Sequence, residues 1–76
     1  MTLYDFVQLS QTEKTNLVWE GRFLSVKEDK NETVILYKVY DFFCEVYYDN
    51  KERQIIKLKP FRTTSLLQHF FSYQLN

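Results

Sequence analysis

The 76-residue chain is poor in the residues that usually announce a site. It has one cysteine, Cys44, so no internal disulfide can form, and one histidine, His69, so no cluster of Cys and His ligands with zinc spacing can be assembled. With a single glycine, Gly21, there is no glycine-rich loop to cradle a phosphate, and with a single proline, Pro60, there is no linker to divide the chain. Ten basic residues balance ten acidic ones, which removes the long-range field that draws nucleic acid or an anionic membrane toward a protein. No window of about 18 apolar residues is present to span a bilayer, and the start MTLYDFVQ lacks the basic and apolar regions of a signal peptide. These absences lead us to expect a cytoplasmic, non-enzymatic protein without cofactor, metal or small-molecule substrate.

What is present is aromatic. Phe, Trp and Tyr make up 18% of the residues while alanine is absent, so any core is built from side chains of large area. A chain of this length makes one domain, residues 1–76, with a total stability of about 4–11 kcal/mol. Neither disulfide nor metal is there to support it, which leaves self-association as the remaining aid.

Along the chain the apolar period changes twice. Leu3, Phe6 and Val7 recur at helical spacing and predict a short helical turn. Ser10 with Glu13 has the form of a capping box, and Gly21 that of a C′ residue, which predicts a helix over Gln11 to Glu20. Phe23 to Val26, Thr33 to Tyr40, Phe42 to Tyr48 and Gln54 to Lys59 then read as four strands. The polar cluster Lys27 to Glu32 separates the first two, and Asn31-Glu32-Thr33 within it matches a glycosylation acceptor, a coincidence in a chain without a secretory signal. Asp49 to Arg53 forms the last turn, and Pro60 ends the fourth strand. Finally Thr64 to Tyr73 places Leu67, Phe70 and Phe71 on one helical face, with Thr64 as N-cap. The expected architecture is α+β: a four-stranded antiparallel meander flanked by an N-terminal and a C-terminal helix, in the order α-β-β-β-β-α.

A central turn at Asp41-Phe42 sets a register in which Tyr40 faces Phe43, Val39 faces Cys44 and Lys38 faces Glu45. That register pairs the two charges of the hairpin, and a slip of one residue would separate them and invert both faces. The segments LYDF, LVWEGRFLSV, VILYKVYDFFCEVYY and IIKLKPFRTTSLLQHF together resemble a family of short, uncharacterised proteins from Bacteroides-type bacteria. The resemblance covers nearly the whole chain and implies the fold without naming a reaction. That family has Asp followed by a small residue at the central turn, where this chain has Asp41-Phe42.

The functional expectation comes from the two-sided apolar character of FFCEVYY. Ile35, Tyr37, Val39, Cys44, Val46 and Tyr48 share one face, extended by Leu24 or Val26 and by Ile56 and Leu58. The reverse face carries Val34, Leu36, Tyr40, Phe43 and Tyr47 with Lys38 and Glu45, too apolar for full exposure to water. Either one helix covers each face, or both helices lie on the first face and the reverse face meets a partner. The second reading makes the protein an interaction module, binding itself as a homodimer or another protein through Leu36, Tyr40, Phe43 and Tyr47, with Lys38 and Glu45 fixing orientation. The alternative is single-stranded nucleic-acid binding by Lys51, Arg53, Lys57, Lys59 and Arg62, with Tyr47 and Phe61 stacking bases and Ile55, Lys57 and Lys59 on one side. Those lysines equally serve to blunt an edge strand against aggregation. A Cys44–His69 nucleophile and base is the least favoured reading, because a mid-strand thiol among aromatics is usually a packing residue.

Overall fold

Two capping boxes start the chain. In the computed structural model, which describes residues 1–62, Thr2 caps helix α1 (Leu3–Val7) and Ser10 caps helix α2 (Gln11–Trp19). The Thr2 hydroxyl accepts from the Asp5 amide at 3.1 Å while Asp5 accepts back from the Thr2 amide at 3.2 Å, and Ser10 with Glu13 repeats the pair at 3.2 and 3.1 Å. Each box satisfies amides that a helix start leaves unpaired, so two very short helices hold without long apolar stripes. The expected helix at Thr64 to Tyr73 lies outside the described residues.

The glycine that follows α2 is needed for a different reason than its C′ position implies. Gly21 does not have a positive φ, and Glu20 closes the helix with right-handed angles. A Cβ on Gly21 would instead stand 2.6 Å from the Lys38 carbonyl oxygen and 3.1 Å from that of Val18. Close approach of the helix end to the sheet, and not a left-handed turn, requires glycine here.

Four antiparallel strands follow as a meander: β1 (Arg22–Glu28), β2 (Glu32–Val39), β3 (Phe42–Asp49) and β4 (Gln54–Phe61), in spatial order β1-β2-β3-β4. The two outer turns share one device. Asp29 Oδ1 accepts from the amides of Asn31 and Glu32, both at 2.8 Å, and Asp49 Oδ1 accepts from Lys51 at 2.9 Å. Those amides hold the Asp29 carboxyl below its ordinary pKa. Asn50 then ties the turns together: its amide donates to the Asn31 carbonyl at 3.0 Å and its side-chain nitrogen to the Asp29 carbonyl at 2.9 Å.

The central turn departs from the expected one. It is Tyr40-Asp41, with Val39 opposite Phe42, Lys38 opposite Phe43 and Tyr37 opposite Cys44. Lys38 and Glu45 are therefore not a cross-strand pair; Glu45 stands opposite Leu36 on one side and Lys59 on the other. The energetics explain the shift. Taking Phe42 out of the turn buries it completely, worth about 1.5–3 kcal/mol, against about 0.2–1 kcal/mol for a cross-strand charge pair. Tyr40 adopts φ 56, a left-handed conformation that costs a non-glycine residue about 1–2 kcal/mol. Because the register moves by two residues, the other residues of β2 and β3 keep the faces read from the sequence, but Phe42 joins the core face and Tyr40, expected on the reverse face, lies in the turn instead.

Bulges alter both outer strands. Between β1 and β2 the pairing passes from Phe23↔Tyr37 to Ser25↔Leu36, leaving Leu24 as the extra residue. Between β3 and β4 it passes from Tyr47↔Lys57 to Tyr48↔Ile55, leaving Ile56 extra. Ile55, and not Ile56, consequently joins Leu58 on the helix-bearing face, while Ile56 is 52% exposed. Pro60 lies inside β4 opposite Cys44 rather than ending the strand, a position an edge strand tolerates. The core sits between the helices and this face: Phe6 and Val18 pack on Val39, Phe42, Cys44 and Val46, with the Phe6 and Phe42 rings 5.2 Å apart.

Candidate interaction surface

The reverse face forms a row across the sheet, Ser25, Leu36, Glu45 and Lys59, opposite one another in successive strands. Three of the four are closed to water within the single chain: Ser25 is 9% exposed, Leu36 1% and Glu45 2%. Flanking this row, Phe43 stacks on Phe61 with centroids 5.6 Å apart and planes at 21°. The Tyr47 hydroxyl donates to Glu45 Oε1 at 3.1 Å, and Lys57 Nζ sits 4.3 Å from the centre of the Tyr47 ring. Burial, aided by the neighbouring Glu45 carboxylate, pushes the Tyr47 phenol up to about 12. Of the six residues expected to meet a partner, Leu36 and Glu45 are buried, Phe43 and Tyr47 are half-buried, and Lys38 and Tyr40 are exposed.

The basic strand is brought together only in part. Lys57 and Lys59 share the reverse face with Phe61, but the bulge at Ile56 turns Ile55 to the other side. Lys51 and Arg53 belong to the turn, where Arg53 has φ 58, and Arg62 pairs with Asp41 at 3.7 Å in an exposed contact. The rings needed for base stacking are engaged: Phe61 is 6% exposed against Phe43, and one face of Tyr47 is covered by Lys57. A base requires a free ring face.

A different aromatic surface is open, and sequence reasoning missed it. At the margin of the helix-bearing face, Tyr37 is contacted edge-on by Trp19 at 5.4 Å and by Phe23 at 6.1 Å. Trp19 is 46% exposed, Phe23 55%, and Val26, which stands beside Ile35 on the same face, 49%. Tyr40 borders a hollow of about 190 Å³ with Leu17, Glu20 and Gly21, next to the end of α2 that carries Trp19. The surface exists because β1 is an outer strand and the helices pack over Val39, Phe42, Cys44 and Val46, leaving the β1 margin uncovered. The available signal was topological: the first strand of a meander has one neighbour, so its apolar residues on the core face are the least shielded.

Cys44 is fully buried and its thiol is pushed up to about 12, chiefly by desolvation, so it is held as the unreactive thiol. His69 lies outside the described residues. Among the described residues no group of three or more His, Cys, Asp or Glu side chains is placed to hold a metal ion, and no helix is long and apolar enough to cross a membrane. No model of a known family, curated protein or solved structure matches the chain.

Proposed function

We propose that the protein is a non-catalytic protein-interaction module that works through an aromatic sheet surface, in the first instance by pairing with a second copy of itself. The observation that carries this reading is the group Trp19, Phe23 and Val26, each about half exposed, arranged around the half-buried ring of Tyr37. Large aromatic side chains supply most of the energy of interface cores because each removes much area from water at little cost in rotamer freedom. Leu36 and Glu45, already buried inside one chain, add nothing at such a contact, whereas exposed Tyr40 extends it. The architecture of the reading is complete with a C-terminal helix over Thr64 to Tyr73, and its setting is the cytoplasm, where a lone thiol such as Cys44 stays reduced.

Sedimentation velocity over a wide concentration series tests the proposal. The wild-type chain is expected to associate with rising concentration, and Phe23→Glu to remain monomeric with an unchanged circular dichroism spectrum, since the residue is more than half exposed. A wild-type chain that stays monomeric at several hundred micromolar removes the homodimer. Association that survives both Phe23→Glu and Trp19→Glu moves it to another surface.

A further inference from the structure

We infer that the hollow at the end of α2 is a recognition site for an arginine side chain of a partner protein. Leu17, Glu20, Gly21, Val39 and Tyr40 line it, and its volume is about 190 Å³. An engineered cavity of about 150 Å³ holds benzene, so the hollow has room for a planar guanidinium and part of its stem. The lining matches both ends of such a side chain. Leu17 and Val39 offer apolar wall to the methylenes, while Glu20 and Tyr40 offer a carboxylate and a ring to the charged head.

The electrostatics select the sign of the occupant. Glu20 caps the C-terminal end of α2, where the helix dipole is already negative, and no basic residue in the last turn offsets it. A cation is favoured at that place, and this chain puts an acid there. Nor does the sheet supply a counter-charge. Arg22 and Lys38, which adjoin Gly21 and Val39 in sequence, stand opposite each other and alternate with Phe23 and Tyr37, so they belong to the reverse face. Arg62 is engaged by Asp41 at 3.7 Å, and Glu20 forms no ion pair among the described residues. The Tyr40 ring is 60% exposed and makes no ring or cation contact among the described residues. Arginine answers these features together: its fork pairs two-pronged with a carboxylate, and its flat face stacks on an aromatic ring. The hollow lies beside the group around Tyr37 and includes neither Trp19 nor Phe23, so this site goes beyond the pairing of two copies and does not depend on it.

The test titrates the full-length, nitrogen-labelled chain, kept dilute, with N-acetylarginine methylamide and follows the backbone amides. Signals of Glu20, Gly21 and Tyr40 are expected to shift saturably with a midpoint in the millimolar range, the scale of a single side chain. N-acetylcitrulline methylamide, similar in shape and neutral, should bind about tenfold more weakly or worse. Glu20→Gln should lose about tenfold as well with the rest of the spectrum unchanged, because the residue is exposed. Tyr40→Asn retains a residue that tolerates the φ of 56 and should weaken binding several-fold. The proposal is overturned by the lack of a saturable shift at tens of millimolar, by an equal response to the citrulline probe, or by either variant titrating like the wild type. Shifts of the same amides on raising the protein concentration alone, with no further response to the probe, give the hollow to a second copy and overturn it too.

Discussion

Gly21→Ala sets two effects of opposite sign against each other. Replacing glycine by alanine where the backbone is already compatible stabilises a protein by about 0.4–1 kcal/mol, because the unfolded chain has fewer states to lose. Gly21 meets that condition, since its φ is not positive. The added methyl, however, arrives 2.6 Å from the Lys38 carbonyl oxygen, 3.1 Å from the Val18 carbonyl oxygen and 3.3 Å from Val39 Cγ2. Two of these neighbours are backbone, one of them at the end of the β1–β2 pairing, where Arg22 stands opposite Lys38. They cannot swing aside as the tip of a side chain can. Overpacking of this kind costs about 1–3 kcal/mol, and here it falls on the junction that fixes α2 against the sheet.

The expected net is a destabilisation of about 1–2 kcal/mol, out of a total of about 4–11 kcal/mol for a chain of this length. With a urea m-value near the low end of its usual range, about 1 kcal/mol/M, the midpoint should fall by about 1–2 M. In thermal melts each kcal/mol corresponds to about 4–8 °C for a domain of this size. Trp19, two residues before Gly21, gives a fluorescence signal local to the junction, and circular dichroism gives the global one. A variant as stable as the wild type, or more so, would refute the close-approach argument.

Three further outcomes follow from the same geometry. Asn50→Ala removes an acceptor for the Thr33 hydroxyl at 2.8 Å and a donor to the Asp29 carbonyl at 2.9 Å, and should cost about 1–3 kcal/mol in urea unfolding; Thr33 keeps its contact with Glu28. In alkali, Cys44 and Tyr47 hold their protons more tightly when folded than when unfolded, so stability is level below the unfolded thiol value of 9.0 and falls between there and about 12. Cys44→Ala should extend the level region toward 10, and urea midpoints that rise through this window contradict the assignment. With Tyr47 and Phe61 engaged, single-stranded oligonucleotides should bind only at the background level of a neutral protein, and Lys57→Gln with Lys59→Gln should change nothing; tight, salt-sensitive binding lost in that pair would reinstate the basic strand as a site.

Much of the fold was legible because its signals are local. The Ser10 and Glu13 box, the polar turn residues and the period-two alternation of β2 and β3 each report on a few neighbouring residues, and each matches the element observed. The faces of β2 and β3 were legible even though the register was not, because parity alone assigns a face and the register error was even. Asp41 belongs to the turn either way; the turn was misplaced by one residue because the local Lys38–Glu45 charge match was weighted above the burial of Phe42 against Phe6, a long-range contact that carries more energy. The bulges at Leu24 and Ile56 have no sequence marker such as glycine, and they decide whether Ile55 or Ile56 faces the core. The Trp19 surface was hidden for the same reason: its exposure depends on how far the helices reach across the sheet, a tertiary quantity.

The two bulges also constrain how the protein can meet a partner. An outer strand normally offers a row of unpaired amides and carbonyls to another strand. In β4 that row is interrupted by the bulge at Ile56, lacks a donor at Pro60 and is flanked by Lys57 and Lys59. In β1 it is interrupted mid-strand at Leu24, and the bulge changes which residues share a face on either side of it. A second β1 laid antiparallel about this bulge, with Phe23 against Val26, brings Arg22 against Lys27, a like-charge contact repeated by symmetry. Strand addition is thus opposed at both edges by backbone geometry and charge. What β1 can offer is side-chain area, Phe23 and Val26 with Trp19 and Tyr37 beside them, and contact carried by that area should persist in high salt while strand pairing and charge steering would not be its source.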